Sequence, residues 1–139
     1  MALVEATRNG RISDVKRLLD EGCFVDTTDE YSFTALHIAS STRGNAKILR
    51  VLLRNGADPC IKSKYGYNAI QYAFAWGATF KIIKLLLIYG ADIYTKGPSG
   101  WTILDTANYK HQCIIIREFL RFTSATFSHN NRMVYCDEW

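Results

Sequence analysis

The stretch YNAIQYAFAWGATFKIIKLLLIYGAD, residues 67–92, contains two apolar segments and ends on Gly-Ala-Asp. The same tripeptide ends an apolar segment at residues 56–58, and a degenerate form, Gly-Cys-Phe, occurs at residues 22–24. The three glycines are therefore separated by 34 residues twice. A period of this length, held through several copies, indicates a repeat protein.

The apolar residues inside each copy follow the same period. Before the glycines, the aligned positions are Val15, Leu49, Ile83 and Ile116, and then Leu18, Leu52, Leu86 and Phe119. Their spacing of i, i+3 and i+4 predicts one apolar stripe on a helix that ends at the glycine. A shorter helix precedes it, with its anchors at Leu3, Leu36, Ile70 and Leu104. Such a unit cannot bury both helices alone and requires stacked neighbours.

These units resemble the ankyrin repeat. The family's Thr-Pro-Leu-His start corresponds to Thr-Ala-Leu-His at residues 34–37, and its Gly-Ala-Asp is present twice. The family's histidine is kept only at His37 and is replaced by Gln71 and Asp105, which predicts weaker hydrogen bonding around the third and fourth turns. The resemblance implies an all-α ankyrin-repeat solenoid of helix-turn-helix units with short β-hairpin fingers.

The chain divides into four repeats and a tail. The period places the repeats at about 1–28, 29–62, 63–96 and 97–122, and a non-repeat segment follows at 123–139. The helix CIIIREFLRF, residues 113–122, is more apolar than one buried stripe requires. We expect the tail to fold back over it as a C-terminal cap. The alternative is that a second protein, or a second copy of this chain, covers the fourth repeat, which allows dimerisation there in place of a monomer.

The composition is typical of one compact domain, with 48% hydrophobic and 22% charged residues and a net charge of +4. The sequence has no apolar run of the roughly 18 residues that a membrane span needs. It also lacks a basic leader followed by an apolar segment, so no secretory signal is predicted. We therefore expect an intracellular protein, cytoplasmic and/or nuclear, that does not bind a membrane.

Motifs for catalysis or cofactor binding are absent from the sequence. It contains no glycine-rich phosphate loop, no nucleophile elbow and no Cys/His spacing for a metal. The four cysteines, Cys23, Cys60, Cys113 and Cys136, are scattered and are interpreted as small buried residues rather than as a disulfide or metal framework. We predict no enzyme, no cofactor and no metal. A catalytic pair of His129 and Cys136 is the enzymatic alternative.

The resemblance implies that the fingers and the concave face of the first helices contact a partner protein. The candidate contact residues are Tyr31, Phe33, Lys64, Tyr65, Tyr67 and Trp101 on the fingers, and Arg43, Trp76 and Tyr109 near the ends of the first helices. Tyr, Trp and Arg are the residue types enriched at interface hot spots. The alternative is that the aligned residues Phe33, Tyr67 and Trp101 pack only against the adjacent finger.

The distribution of charged residues indicates the chemical class of the expected partner. The aligned cations Lys16, Arg50, Lys84 and Arg117 are interpreted as a solvated outer face rather than a nucleic-acid stripe. On the concave side, Arg8, Arg43, Lys64 and Lys110 stand among aromatic residues, which favours a partner segment that combines acidic and apolar residues.

We therefore predict a non-catalytic protein-protein interaction module that acts as a scaffold or inhibitor. The alternative is a two-partner adaptor that uses the C-terminal tail as its second site, as when a virus or pathogen recruits host signalling proteins.

Overall fold

The computed structural model describes residues 2–41, 45–103 and 105. Within these ranges, six helices form three consecutive pairs. They are α1 (Ala2–Arg8), α2 (Ile12–Asp20), α3 (Ala35–Ala39), α4 (Ala46–Arg54), α5 (Ala69–Ala75) and α6 (Phe80–Ile88). In each pair, a short first helix is followed by a second helix of nine residues. This is the all-α repeat architecture that the period predicts.

The pairs stack into two layers of helices. The first helices contact one another in the order α1, α3 and α5, and the second helices do so in the order α2, α4 and α6. The predicted anchors Leu3, Leu36 and Ile70 are at most 1% exposed. The second-helix positions Val15, Leu49 and Ile83 are fully buried. The core is therefore one continuous row of apolar side chains along the stack.

Reciprocal capping bonds start the first helices of the second and third repeats. The Thr34 hydroxyl accepts from the backbone N–H of His37, and the Thr34 N–H donates to Nδ1 of His37 at 3.2 Å. Asn68 and Gln71 form the same pair of bonds at 3.0 and 2.9 Å. An amide side chain therefore replaces the imidazole at the helix start without loss of either bond.

Glycines in the left-handed conformation end the second helices. Gly22, Gly56 and Gly90 have φ angles of 89°, 84° and 90°. At Gly56, the reversal lets the Ala57 N–H donate to the Leu52 carbonyl at 3.1 Å, which satisfies a carbonyl of the last helical turn. Nothing lies within 4 Å of a Cβ built at Gly56, so the backbone angle alone requires glycine there.

The fingers are tight turns rather than stranded hairpins. A backbone hydrogen bond spans each turn: Asp29 N–H to Phe33 O at 3.0 Å, Ser63 N–H to Tyr67 O at 2.9 Å, and Gly97 N–H to Trp101 O at 2.9 Å. In the described ranges, the bridge recorded between extended residues is the isolated pair Thr28 and Thr34. A helix resumes at Ala35, two residues after Phe33, which leaves no length for a β-ladder.

His37 also joins the second repeat to the third. Its Nδ1 accepts the Thr34 N–H, so its Nε2 carries the proton and donates to the Tyr67 carbonyl at 2.9 Å. Gln71 also donates from its Nε2, to the Thr95 carbonyl at 2.9 Å near the end of its own repeat. The expected weakening of hydrogen bonding is therefore wrong for the third repeat, because an amide offers the same donor and acceptor as a neutral imidazole.

We predict that the neutral state of His37 contributes a pH-dependent part of the stability. Burial lowers the pKa of His37, so the unfolded chain binds the proton first as the pH falls. The contribution is complete above the unfolded pKa of about 6.5 and is lost as the pH falls through the lower folded pKa. Urea unfolding followed by circular dichroism, between about pH 7.5 and about pH 5.5, measures this loss.

The matched control for this prediction is His37→Gln, which copies the residue that the third repeat uses at Gln71. The variant should remain folded and should lose less stability than the wild type over the same pH interval, because its amide does not titrate. Equal losses of stability in the two proteins would show that His37 does not cause the pH dependence.

A second prediction concerns the glycine stop at Gly56. Gly56→Ala should lower the free energy of unfolding by about 1 kcal/mol, because an L side chain disfavours the left-handed conformation. Gly56→Asn should cost less, since asparagine tolerates that region. Arg54→Ala, at an exposed helical position nearby, is the control. Equal stability of the alanine and asparagine variants would contradict the explanation.

Candidate protein-binding surface

The Asp29 carboxylate organises the first finger. One oxygen accepts the backbone N–H groups of Tyr31 at 2.9 Å and Phe33 at 3.0 Å. The other oxygen accepts from the Arg8 guanidinium of α1 at 3.1 Å. The Asp29 side chain is only 8% exposed, and a charged group that is buried and paired holds one geometry. The finger is thereby fixed to the first helix of the stack.

Five aromatic rings form a continuous row from the first finger to the end of α5. The Tyr31 and Tyr65 rings stack with centroids 6.5 Å apart, and the Tyr65 ring lies 5.9 Å from that of Phe33. The Phe33 ring is 5.3 Å from Tyr72, and the Tyr72 ring is 6.0 Å from Trp76. These centroid distances lie in or near the range of favourable aromatic pairs. We call this set the aromatic row.

A groove of about 570 Å³ runs along the aromatic row. Its lining consists of Phe33, Tyr65, Tyr67, Tyr72, Ala75 and Trp76 and contains no charged side chain. We call it the aromatic groove. Tyr65 and Trp76 are 54% and 60% exposed at its edges, whereas Phe33, Tyr67 and Tyr72 are half-buried in it. The surface therefore offers apolar area together with hydroxyl and indole donors.

The buried His37 ring packs against two of the rings that line the aromatic groove. Its ring lies 5.6 Å from the Phe33 ring and 6.2 Å from the Tyr72 ring, in edge-on arrangements. Because the same imidazole donates to the Tyr67 carbonyl, it also fixes the backbone of a lining residue. The stability and the shape of the groove therefore depend on one side chain.

Neighbouring fingers are held together by close contacts. The Lys64 N–H donates to the Tyr31 carbonyl at 3.0 Å. A Cβ at Gly66 would lie 2.9 Å from Cγ of Pro98, so the second and third fingers approach as closely as a glycine permits. The Tyr67 ring edge packs over Gly97, where an added Cβ would be 3.2 Å away. The three fingers therefore form one connected edge of the molecule.

The hydroxyls of Tyr31 and Tyr72 in the row are protonated at neutral pH. Burial raises the pKa of Tyr72. The adjacent Glu30 carboxylate, through its charge and a hydrogen bond, raises the pKa of Tyr31. Both groups remain neutral well above physiological pH and act as hydrogen-bond donors and acceptors.

Most of the predicted contact residues lie together. Tyr31, Phe33, Tyr65, Tyr67 and Trp76 belong to the aromatic row or groove. Lys64 is exposed next to Tyr65, and Trp101 is 42% exposed on the third finger, outside the groove lining. Arg43 and Tyr109 lie outside the described residues.

Two central residues were not predicted from the sequence. Tyr72 joins Phe33 to Trp76, and the sequence signal was its i, i+4 spacing from Trp76 on α5. The other is Asp29, whose carboxylate shapes the first finger. Aspartate at the first position of a turn commonly accepts the backbone N–H two residues on, and Ser63 makes the equivalent bond to Tyr65 in the second finger.

The described part of the chain offers little for metal or thiol chemistry. Within it, no group of three or more His, Cys, Asp or Glu side chains is placed to hold a metal ion. Cys23 and Cys60 are free thiols, and the expected burial is wrong for Cys60, which is exposed. Partial desolvation still raises the pKa of the Cys60 thiol, which disfavours the reactive thiolate. The alternative pair His129 and Cys136 lies outside these residues. No helix in the same part is long and apolar enough to cross a membrane.

Comparison with known proteins agrees with this architecture. The family model described as ankyrin repeats in three copies matches residues 3–97. A human mitochondrial disaggregase is 43% identical over 58 residues, which are 42% of this chain and 8% of that protein. A sheep ankyrin repeat, SAM and basic leucine zipper domain-containing protein is 44% identical over 54 residues, which are 39% of this chain and 11% of that protein.

The chain therefore spans only a small part of these relatives, so their whole-protein activities are not transferred to it. The shared segments of 58 and 54 residues are between one and two repeats long, and ankyrin repeats are generally protein-protein interaction modules. Because the family model matches well over half of the 139 residues, the chain belongs to the ankyrin-repeat family.

Proposed function

We propose that this protein binds another protein through the aromatic groove and the adjoining finger edge, and that it acts without a chemical step, as a scaffold or an inhibitor. The observation that carries the proposal is the aromatic row, whose ends are exposed and whose centre is rigid. Large exposed aromatic side chains next to an uncharged groove are typical of interface hot spots.

Preorganisation supports the proposal. The Asp29 carboxylate, the His37 imidazole and the Lys64 backbone bond hold the fingers before any partner arrives. Tyr and Trp side chains have few rotatable bonds, so they lose little conformational entropy on binding. A rigid aromatic groove therefore gains more net affinity from a given contact area than a mobile loop does.

The chemistry of the groove indicates the kind of partner. Its uncharged lining favours apolar or aromatic side chains, and the tyrosine hydroxyls and the Trp76 indole are suited to hydrogen bonds with a partner backbone. The partner is thus a protein segment with apolar residues, and acidic residues are the expected complement of the surrounding cations. The two-partner adaptor depends on residues 123–139, beyond the described ranges, and stays a prediction.

The proposal predicts that Tyr65→Ala/Trp76→Ala abolishes partner binding. Both side chains are exposed, so the fold should be preserved, and truncation of two hot-spot residues should weaken binding by at least about thirtyfold. The measurement is affinity capture from cell lysate with quantitative mass spectrometry, followed by calorimetry with the purified captured protein.

The matched control is Phe24→Ala/Tyr94→Ala. These aromatic residues are 68% and 77% exposed but lie outside the groove lining. Circular dichroism and urea unfolding should first show that all three proteins are equally folded. A partner lost by both double variants, or retained by both, would exclude the aromatic groove as its site.

A further inference from the structure

A second groove lies beside the first helices and has the opposite chemical character. It has a volume of about 730 Å³ and is lined by Thr7, Arg8, Gly10, Ile38, Ser41, Asn45, Ala46, Lys47 and Lys81. Three of these residues are cationic, none is acidic, and the others are mainly small or polar. We call it the basic cleft. It gathers positive charge from all three described repeats.

The uncompensated charge of the basic cleft comes from its two lysines. Arg8 is paired with Glu5 at 3.3 Å and with Asp29 at 3.1 Å. Lys47 and Lys81 are exposed and take part in no ion pair among the described residues. They are 34 residues apart, each at the second position of its helix, α4 or α6. Among the described residues, the repeat therefore presents two ammonium groups without an ion-pair partner on the same side of the stack.

On α4, the Lys47 side chain, rather than the end of the helix, supplies the positive charge of the cleft. At the start of α4, the Asn45 side chain already accepts the backbone N–H groups of Lys47 at 2.9 Å and Ile48 at 3.3 Å. These donors are thus occupied, and an incoming anion would meet flexible ammonium groups. Lysine binds carboxylates as a mobile point charge, which suits acidic side chains of varied geometry.

The basic cleft and the aromatic groove are joined through one carboxylate. Arg8 lines the cleft and donates to one oxygen of Asp29. The other oxygen of Asp29 accepts the backbone N–H of Phe33, which lines the aromatic groove. The Arg8 charge also acts on the neighbouring Tyr72 hydroxyl and lowers its pKa against the larger effect of burial. One bound segment of chain can therefore reach both surfaces.

We propose that the basic cleft binds acidic side chains of the same partner segment whose apolar residues enter the aromatic groove, with Lys47 and Lys81 as the residues that select them. This inference rests on the proposed function and adds the orientation of the bound segment. The acidic part of the segment lies toward the turns between first and second helices, and the apolar part lies toward the fingers.

A protein segment fits this surface better than a nucleic acid. The exposed carboxylates Glu5 and Glu30 line a neighbouring pocket, which shares Arg8 with the cleft and also contains Tyr31 of the aromatic row. A continuous phosphate backbone that reached the aromatic row would pass close to them and be repelled. Separate Asp or Glu side chains of a peptide place negative charge only where the lysines are. The alternation of charge on this face thus favours a peptide with a local acidic cluster.

The test uses a displayed library of random peptides selected on the immobilised wild-type protein, with fluorescence anisotropy of synthetic copies of the selected peptides. We expect these peptides to combine a cluster of Asp or Glu with aromatic or apolar residues. Replacement of the acidic residues by Asn and Gln, or use of the Lys47→Gln/Lys81→Gln variant, should weaken binding by about fivefold or more. The effect should shrink as NaCl rises from about 0.05 M to about 0.5 M.

The matched control is Lys16→Gln/Lys62→Gln, which removes the same net charge at two exposed positions outside the cleft. It should change binding by less than about twofold. Equal weakening by the two lysine pairs would show a general charge effect and would overturn the inference.

Other outcomes separate this inference from the proposed function. If selected peptides lose binding in Tyr65→Ala/Trp76→Ala but are not acidic, or do not respond to Lys47→Gln/Lys81→Gln, the cleft proposal is wrong and the groove proposal stands. If no selected peptide binds more weakly to either double variant than to the wild type, both proposals are wrong. If a labelled single-stranded oligonucleotide binds through Lys47 and Lys81 as tightly as the peptides do, the cleft is a nucleic-acid site.

Discussion

No described helix of this protein is long enough to be stable alone, so each depends on burial against its neighbours. The described helices have five to nine residues, whereas isolated helices shorter than about 12 residues are marginal in water. Leu36 and Leu49 can be fully removed from solvent only when the adjacent repeats are in place. The stack is therefore a condition for the secondary structure as well as a consequence of it.

The same constraint makes the surface rigid. A stack in which each first helix touches the next allows polar side chains to bridge repeats over short distances. His37 uses this to bind the Tyr67 carbonyl of the next repeat, and Asp29 uses it to bind Arg8. These bonds satisfy buried polar groups that would otherwise destabilise the fold. They also fix the backbone from which the aromatic side chains project.

Packing and binding are consequently not separate alternatives at the aromatic row. Phe33 and Tyr67 are half-buried and contact the adjacent finger or helix, as a purely structural role requires. They also line a groove whose edges, Tyr65 and Trp76, are more than half exposed. A partner would therefore meet rings that are already ordered by their neighbours, which lowers the entropy that binding has to overcome. Arg8, by contrast, has carboxylate partners within the fold, so the proposed attraction of an acidic partner depends more on Lys47 and Lys81.

The sequence by itself determined the repeat period, the apolar anchors, the glycine stops and the helix starts. All of these are local patterns, because they are set by backbone angles and side-chain spacing among residues that are close together in the chain. It also placed Tyr31 and Tyr65 on the fingers and Trp76 near the end of a first helix, because the resemblance fixed their position in the unit. Only the tertiary structure decided that Tyr72 links Phe33 to Trp76, that Asp29 joins the first finger to Arg8, and that Lys47 and Lys81 border one cleft. These relations connect residues that are apart in the chain, and their geometry follows from how closely successive repeats stack, which no single repeat encodes.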